Sequence, residues 1–350
     1  MKPITPVRYG CWIGACGFLA LLVLVLSPGI GTSESGVGLG DAWQAWFSDG
    51  EGASLEYNIA FCLRLPRTLL ALQAGITLGL CGAVFQVLFR NPLATPYTLG
   101  ISSGGSLGAL IAIKFGITAT FMGVSGLALC SFIGASAVIG VVFLFAHGVR
   151  RLTTNELLLA GVTMGLFCSA MMMLVMYLST ERQTFDMIRW MMGSVVSVGP
   201  RDSLVNLPLL AISWAVLVGL ARPFNQYILG DEIAASRGVS VVRIQAISVL
   251  FASLATGAVV ATCGPIGFVG LVVPQMTVLL LGRDCRLLFP CSALLGGVFL
   301  AVCDWGAQLS LGWIGSLMGK TLSSAMLPTG VVTAIIGVPI FLVLLHRRAR

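Results

Sequence analysis

Charge is what this sequence has least of. Only 9% of its 350 residues are Asp, Glu, Lys or Arg, while 57% are hydrophobic; an ordinary soluble domain is about a quarter charged. A chain of this length buries a large core in water, but it still needs a polar surface, and too few charges exist to make one. A water-soluble fold is therefore excluded. Histidine is nearly missing: His147 and His346 both stand beside basic residues at predicted loop ends, which leaves none for a metal inside the apolar runs. The 10 cysteines include Cys11, Cys16, Cys81, Cys130, Cys168, Cys263, Cys291 and Cys303, and no CxxC pair occurs among them. That scatter argues against a metal site or a disulfide framework, and these thiols are read as small hydrophobes in a packed interior.

The remaining solvent is lipid, where every backbone group must be paired inside the protein, and only helix bundles and closed barrels achieve this. Barrel strands alternate apolar and polar residues over about ten positions. The apolar runs here are unbroken and about twenty residues long, enough to cross about 30 Å at 1.5 Å per residue. The expected fold is all-α: a polytopic membrane helix bundle forming one transmembrane domain over residues 1–350. About ten spans are expected near residues 11–30, 67–88, 97–114, 121–146, 156–178, 204–222, 245–263, 267–281, 289–309 and 329–345. The first has a basic flank (Lys2, Arg8) and a small-residue exit, features shared with cleaved leaders, and is read as a span.

Lysine and arginine collect on the cytoplasmic side of membrane proteins. With the N-terminus inside, the inner segments hold Lys2, Arg8, Arg90, Arg150, Arg151, Arg222, Arg237, Arg243, Arg283, Arg286, Arg347, Arg348 and Arg350, the larger part of the 20 basic residues. The outer segments carry the other bases, including Lys320, together with Glu34, Asp41, Asp49, Glu51, Glu56, Glu181, Asp186 and Asp202. Both termini are expected in the cytoplasm. The net charge of +7 is read as this topological bias and not as a nucleic-acid patch.

Glycine is plentiful, at 43 residues, and recurs three or four apart at Gly75, Gly79 and Gly82 and again at Gly100, Gly104, Gly105 and Gly108. Such spacing puts small residues on one helix face and lets a neighbouring backbone approach. Proline and glycine interrupt the apolar pattern at Asn91, Pro92 and Pro96 and again between Gly264 and Pro274. Short or broken helices are expected there, and non-helical backbone at that depth is buried in protein or lines an aqueous path. Both breaks lie in stretches that run from an arginine (Arg67, Arg243) to a Gly-Gly pair, an arrangement that hints at an inverted duplication.

Asp304 is the one acidic residue placed within a span. A carboxylate costs about 3 kcal/mol at the bilayer centre, so it faces the protein interior or an aqueous end, as a functional group or as a hydrogen-bonded structural one. A single such group is a thin supply for a proton- or sodium-driven carrier. Energy is more naturally received at the predicted cytoplasmic segment Leu229-Gly230-Asp231-Glu232-Ile233-Ala234-Ala235-Ser236-Arg237-Gly238-Val239. There Asp231 and Glu232 suit the positive start of a short helix, and Gly238 suits its left-handed stop. So short a helix needs a partner to pack on.

These residues resemble the permeases of the iron-siderophore, haem and vitamin B12 class of binding-protein-dependent ABC importers, the FecCD type, from about residue 60 to the C-terminus. The matching motifs are Arg64-Leu65-Pro66-Arg67 with the glycine helix and Arg90-Asn91-Pro92-Leu93-Ala94-Thr95-Pro96; the segment 229–239; Gly264-Pro265-Ile266-Gly267-Phe268-Val269-Gly270-Leu271-Val272-Val273-Pro274 with Asp304 beyond; and Leu327-Pro328-Thr329-Gly330-Val331-Val332-Thr333. The resemblance implies a type II ABC importer permease in the bacterial inner membrane. It further implies a second permease copy, two cytoplasmic ATPases that use ATP and Mg, and a periplasmic or lipid-tethered binding protein. No cofactor or metal is expected on this chain. Residues 229–242 become the coupling-helix region, with Gly230, Asp231, Glu232, Ala234, Ala235 and Gly238 meeting the ATPase, and apolar Ile233, Ala234 and Val239 entering its groove. Arg64 and Arg67 become the docking residues for the binding protein. Asn91, Pro92, Pro96, Gly100, Gly264 and Pro274 are assigned to the translocation path or its helix breaks.

The chain departs from the family pattern at several places. Gln275 and Val278 stand where histidine and arginine are usual, Gln308 where arginine is usual, and Met326 where glutamate is usual, and residues 311–325 make a longer stretch. An ion-coupled secondary carrier is the alternative reading, and it needs no coupling segment. A membrane-embedded enzyme would need a cluster of reactive side chains at one depth, and a channel a ring of like charges; neither pattern occurs in the sequence.

Overall fold

The computed structural model describes residues 6–31, 38–48, 55–117, 119–121, 124–148, 154–195, 204–318 and 326–349. Of the charged residues used for orientation, Lys2, Glu34, Asp49, Glu51, Arg150, Arg151, Asp202, Lys320 and Arg350 lie outside these, as do residues 319–325 of the long stretch. Among the described residues the helices are α1 (Pro6–Leu26), α2 (Leu39–Ser48), α3 (Leu55–Leu88), α4 (Ile101–Lys114), α5 (Gly126–Gly148), α6 (Thr154–Tyr177) and α7 (Glu181–Met191). They continue with α8 (Leu207–Gly219), α9 (Ala221–Tyr227), α10 (Asp231–Ser236), α11 (Val241–Cys263), α12 (Val269–Leu281), α13 (Cys285–Met318) and α14 (Thr329–Ala349). Among the described residues the fold is all-helical apart from one small hairpin, in which Thr120–Phe121 pairs antiparallel with Val124–Ser125.

Each expected span falls on a helix. Among the described residues six helices are long and apolar enough to cross a membrane, α8 with α9, bent by 44°, makes a seventh, and the other expected spans fall on shorter apolar stretches in α4, α5 and α12. The expected start at residue 121 is displaced to Gly126 because the hairpin takes up the preceding residues. Helices α4 and α12 have 14 and 13 residues. At 1.5 Å per residue each rises about 20 Å, short of the bilayer's roughly 30 Å of hydrocarbon, and each follows one of the two breaks.

Helix α3 is the centre of the bundle. Its apolar window is 83% buried, against 17% for α1 and α6 and 22% for α14. Lipid is as apolar as leucine, so helices associate there through close packing more than through the hydrophobic effect. The glycine face of α3 supplies that packing. A Cβ at Gly75 would overlap the backbone of Gly296 on α13, one at Gly79 the carbonyl of Ser292, and one at Gly82 the backbone of Gly270 on α12. The second glycine face behaves alike, with Gly104 and Gly108 of α4 against Gly134 and Cys130 of α5. Cysteines also serve as packing groups: Cys81, Cys263, Cys285, Cys291 and Cys303 are buried, and all ten are free.

The two breaks meet. After α3 the chain turns through Asn91, whose Oδ1 accepts from the Leu93 N–H at 3.0 Å, and a one-turn helix Pro96–Leu99 follows. Gly100, left-handed at φ 71°, links that turn to α4, where any side chain would collide with Gly161 and Gly165 on α6. The Tyr97 hydroxyl donates to the Ile266 carbonyl in the second break. Pro274 lies inside α12 and has no N–H to give the Gly270 carbonyl four residues back. Gln86 of α3 supplies the missing donor: its Nε2 reaches Gly270 O at 3.1 Å and Leu271 O at 3.2 Å.

Overpacking where the obstacle is backbone has no cheap relief, and even ordinary overpacking costs about 1–3 kcal/mol. Gly82→Val is expected to lower the thermal midpoint of the detergent-extracted protein by several degrees or to prevent its accumulation. Gly219→Ala, whose Cβ meets nothing within 4 Å, should leave it unchanged; a scan of size-exclusion recovery against temperature distinguishes the two.

Candidate functional site

The functional candidates gather at the two ends of α3. Its final α-helical stretch, Leu65–Leu88, has 24 residues, a rise of about 36 Å. One arginine stands near each end of that length, and each pairs with an acid from a distant part of the chain.

At the first end, Arg67 grips Asp304 of α13 with both arms, Nε to Oδ2 and Nη2 to Oδ1, each at 2.8 Å. Asp304 is 1% exposed and accepts two further bonds, from Gln308 Nε2 and from the Thr329 hydroxyl at the start of α14, each at 2.8 Å. Gln308 reaches Asp304 through a neutral amide and brings no charge to it. Arg64 corrects the expectation of a charge offered outward. It is buried, and its Nη1 donates to Pro28 O at 2.8 Å, tying the turn after α1 to α3. Arg67 retains a narrow opening, with a side chain 15% exposed, beside Met326 Sδ at 2.9 Å.

At the opposite end α3 stops at Arg90, one of two non-glycine residues among those described with positive φ, at 49°. Its Nη2 donates to Asp231 Oδ1 at 2.5 Å and to Tyr227 O at 2.9 Å. Its guanidinium lies over the Tyr227 ring, 4.6 Å from the centroid. Tyr227 is fully buried and returns a bond from its hydroxyl to Leu88 O at 3.0 Å.

Asp231 opens α10, the expected coupling helix. Gly230 precedes it at φ 126°, and Gly238 follows at the left-handed φ of 78°, with the Val239 N–H closing onto Ala234 O at 3.0 Å. Glu232, Ile233, Ala235 and Arg237 are exposed. Ala234 corrects the outward assignment: it is fully buried, and Val239 likewise packs on the protein's own core. The exposed residues of α10 are therefore Asp231, Glu232, Ile233, Ala235 and Ser236.

Beside Arg90 lies a cavity of about 280 Å³, lined by Gln86, Pro92, Gln275, Val278 and Arg283 among others. Two of the departures from the family pattern, Gln275 and Val278, fall here, and Gln275 donates to Gln86 Oε1. Next to it, Asn225 of α9 and Arg286 both donate to Asp284, at 2.8 and 3.1 Å. Burial alone would raise the Asp284 carboxyl, but these bonds outweigh it and hold the group below the ordinary carboxylate value. Sequence reasoning missed Arg90, Gln86 and Tyr227 as positioning groups. A polar Gln86 in an apolar helix four residues before Arg90 was the available signal.

Apolar spans, two half-length helices meeting at their breaks, and a short exposed helix tied to the central span define a membrane transport permease. The model of the FecCD transport family matches residues 19–347, and the chain belongs to that family. It is 33% identical over 98% of its length to an uncharacterized ABC transporter permease protein, YvrB, of Bacillus subtilis, covering 95% of that protein. It is 35% identical over 97% of its length to the vitamin B12 import system permease protein BtuC of Salmonella typhi, covering 96% of it. A solved metal-chelate type ABC transporter in an inward-facing conformation superposes with a TM-score of 0.79 at 27% identity, over 96% of this chain and 98% of that one. The chain is thus the permease subunit of an ABC importer, a transport protein without a catalytic domain, and its family implies a partner ATPase and a binding protein.

Removing one member of a buried ion pair strands the other and costs about 3–5 kcal/mol, whereas removing both is far milder. Asp304→Leu is therefore expected to destabilise strongly, and Arg67→Leu with Asp304→Leu to recover most of the loss. Thermal midpoints of the four combinations in detergent give the coupling energy.

Proposed function

We propose that this permease carries a metal chelate of the iron-siderophore, haem or cobalamin kind into the cytoplasm, driven by two ATPase subunits that use ATP and Mg. The observation that carries this reading is α10, a six-residue helix with an exposed outward face and an ion pair to α3. An ion-coupled carrier has no use for such a helix, and Asp304, the acidic residue expected within a span, is bonded to Arg67, Gln308 and Thr329. The names of the relatives support the substrate class: one is a vitamin B12 permease and one a metal-chelate transporter.

On this reading α10 and both termini face the cytoplasm of a bacterial inner-membrane protein. The binding protein docks at the Arg67 end, where the Arg67–Asp304 pair reaches the surface through a 15% exposed arginine and Arg64 holds the surrounding backbone. A second copy of the chain completes the transporter, and the outward apolar faces of α6 and α14 are the candidate contacts with it. Leu166 and Met173 on α6 are 68% and 73% exposed.

Cells lacking this protein and then regaining it are expected to recover uptake of one class among ferric siderophores, haem and cobalamin; recovery of none would reject the substrate assignment. Ala235 is exposed, so Ala235→Trp should leave the permease inserted but abolish transport and substrate-stimulated ATP hydrolysis. Gly238→Pro, which forbids the observed positive φ, should do the same. Full coupled activity in either variant would remove α10 from the transmission.

A further inference from the structure

Helix α3 ends in a geometry that glycine normally supplies. The Asn91 N–H bonds back to Gln86 O at 3.1 Å and the Arg90 N–H to Val87 O at 3.2 Å, a closure in which the residue at position 90 takes left-handed φ. Here that residue is arginine, at φ 49°. A long side chain in this conformation is strained, and such strain persists where something else requires the residue. Stability is a poor candidate for that requirement, because the Arg90 and Asp231 side chains are 46% and 55% exposed and exposed pairs contribute little to folding.

Mechanical connection is a better one. The guanidinium reaches three things at once: the first residue of α10, the last carbonyl of α9 and the face of Tyr227. Tyr227 in turn bonds the last turn of α3 through Leu88 O. A displacement of α10 therefore arrives at the end of α3 through a short, closed set of contacts, and the cavity of about 280 Å³ beside Arg90 leaves room for that end to shift. From there Gln86 leads directly to the second break at Gly270 and Leu271.

We infer that Arg90 is a positioning residue for transport, which locks α10 to the end of α3 so that movement of the ATPase is passed to the two helix breaks. The inference rests on the reading of α10 as the ATPase contact, and the test separates the two.

The experiment uses the permease in complex with its ATPase subunits in lipid vesicles. Single spin labels replace Leu93, an exposed residue just past Arg90, in an otherwise cysteine-free chain, and the distance between labels on the two copies is measured with and without ATP. The wild type should show an ATP-dependent shift of several ångströms. Arg90→Gly fits the left-handed position better than arginine, so it should keep or raise the thermal midpoint and still bind the ATPase, yet lose most of the shift. Asp231→Asn should lose at least half of it, and Arg90→Lys should retain part. A full shift in Arg90→Gly, or a fall in its thermal midpoint together with loss of the ATPase, would overturn the inference, the latter by making Arg90 a purely structural residue. If the shift survives Ala235→Trp, or is absent from the wild type, the reading of α10 itself fails. If Ala235→Trp abolishes the shift and Arg90→Gly does not, Arg90 alone is refuted.

Discussion

Everything in this molecule is arranged around the fit of one helix against its neighbours at backbone distance. In lipid a leucine face gains little by touching another leucine face, so the helix buried deepest must be held by contacts that lipid cannot imitate. Helix α3 has them along its length: glycine against the Gly296 and Gly270 backbones in the middle, and hydrogen-bonded charge at both ends. The peripheral helices α1, α6 and α14 have largely exposed apolar faces, and α6 and α14 come to backbone distance only locally, at Gly161 against Leu99 and at Gly330 against Met192.

That arrangement also explains where irregular backbone is tolerated. Both breaks lie against α3 or its C-terminal turn, and each broken helix finds replacement partners. Pro274 leaves a carbonyl at Gly270, and Gln86 fills it. Among the described residues the two non-glycine positions with positive φ, Arg90 and Phe268, stand one at each break, so left-handed backbone falls where the helices are interrupted.

Much of this was legible in the sequence, and the rest failed for a consistent reason. The spans, the glycine faces, the two breaks and the left-handed Gly238 are local patterns, and local patterns survive folding. What could not be read was direction and distance. Arg64 and Arg67 look alike in the motif, yet one is buried among carbonyls and the other chelates an aspartate. Ala234 and Ala235 are adjacent and identical, and one faces the core while the other faces outward. That the breaks touch through Tyr97 and Ile266 depends on how four helices cross, which no periodicity records. Family membership fixed the class of machine, and the position of Gln275 and Val278 beside the α10 end came from the fold alone.

The separation of Arg67 from Asp304 along the chain has a consequence for how the protein is made. The partners are 237 residues apart, and at about 5–20 residues per second of synthesis the arginine waits roughly 10 to 50 s for its aspartate to leave the ribosome. Through that interval the guanidinium has only its long stem with which to reach the interface. A chain cut short before its last two spans never acquires the counter-charge. The pair therefore closes the bundle late, once α13 has been made, and it joins the early and late parts of the chain in one buried contact.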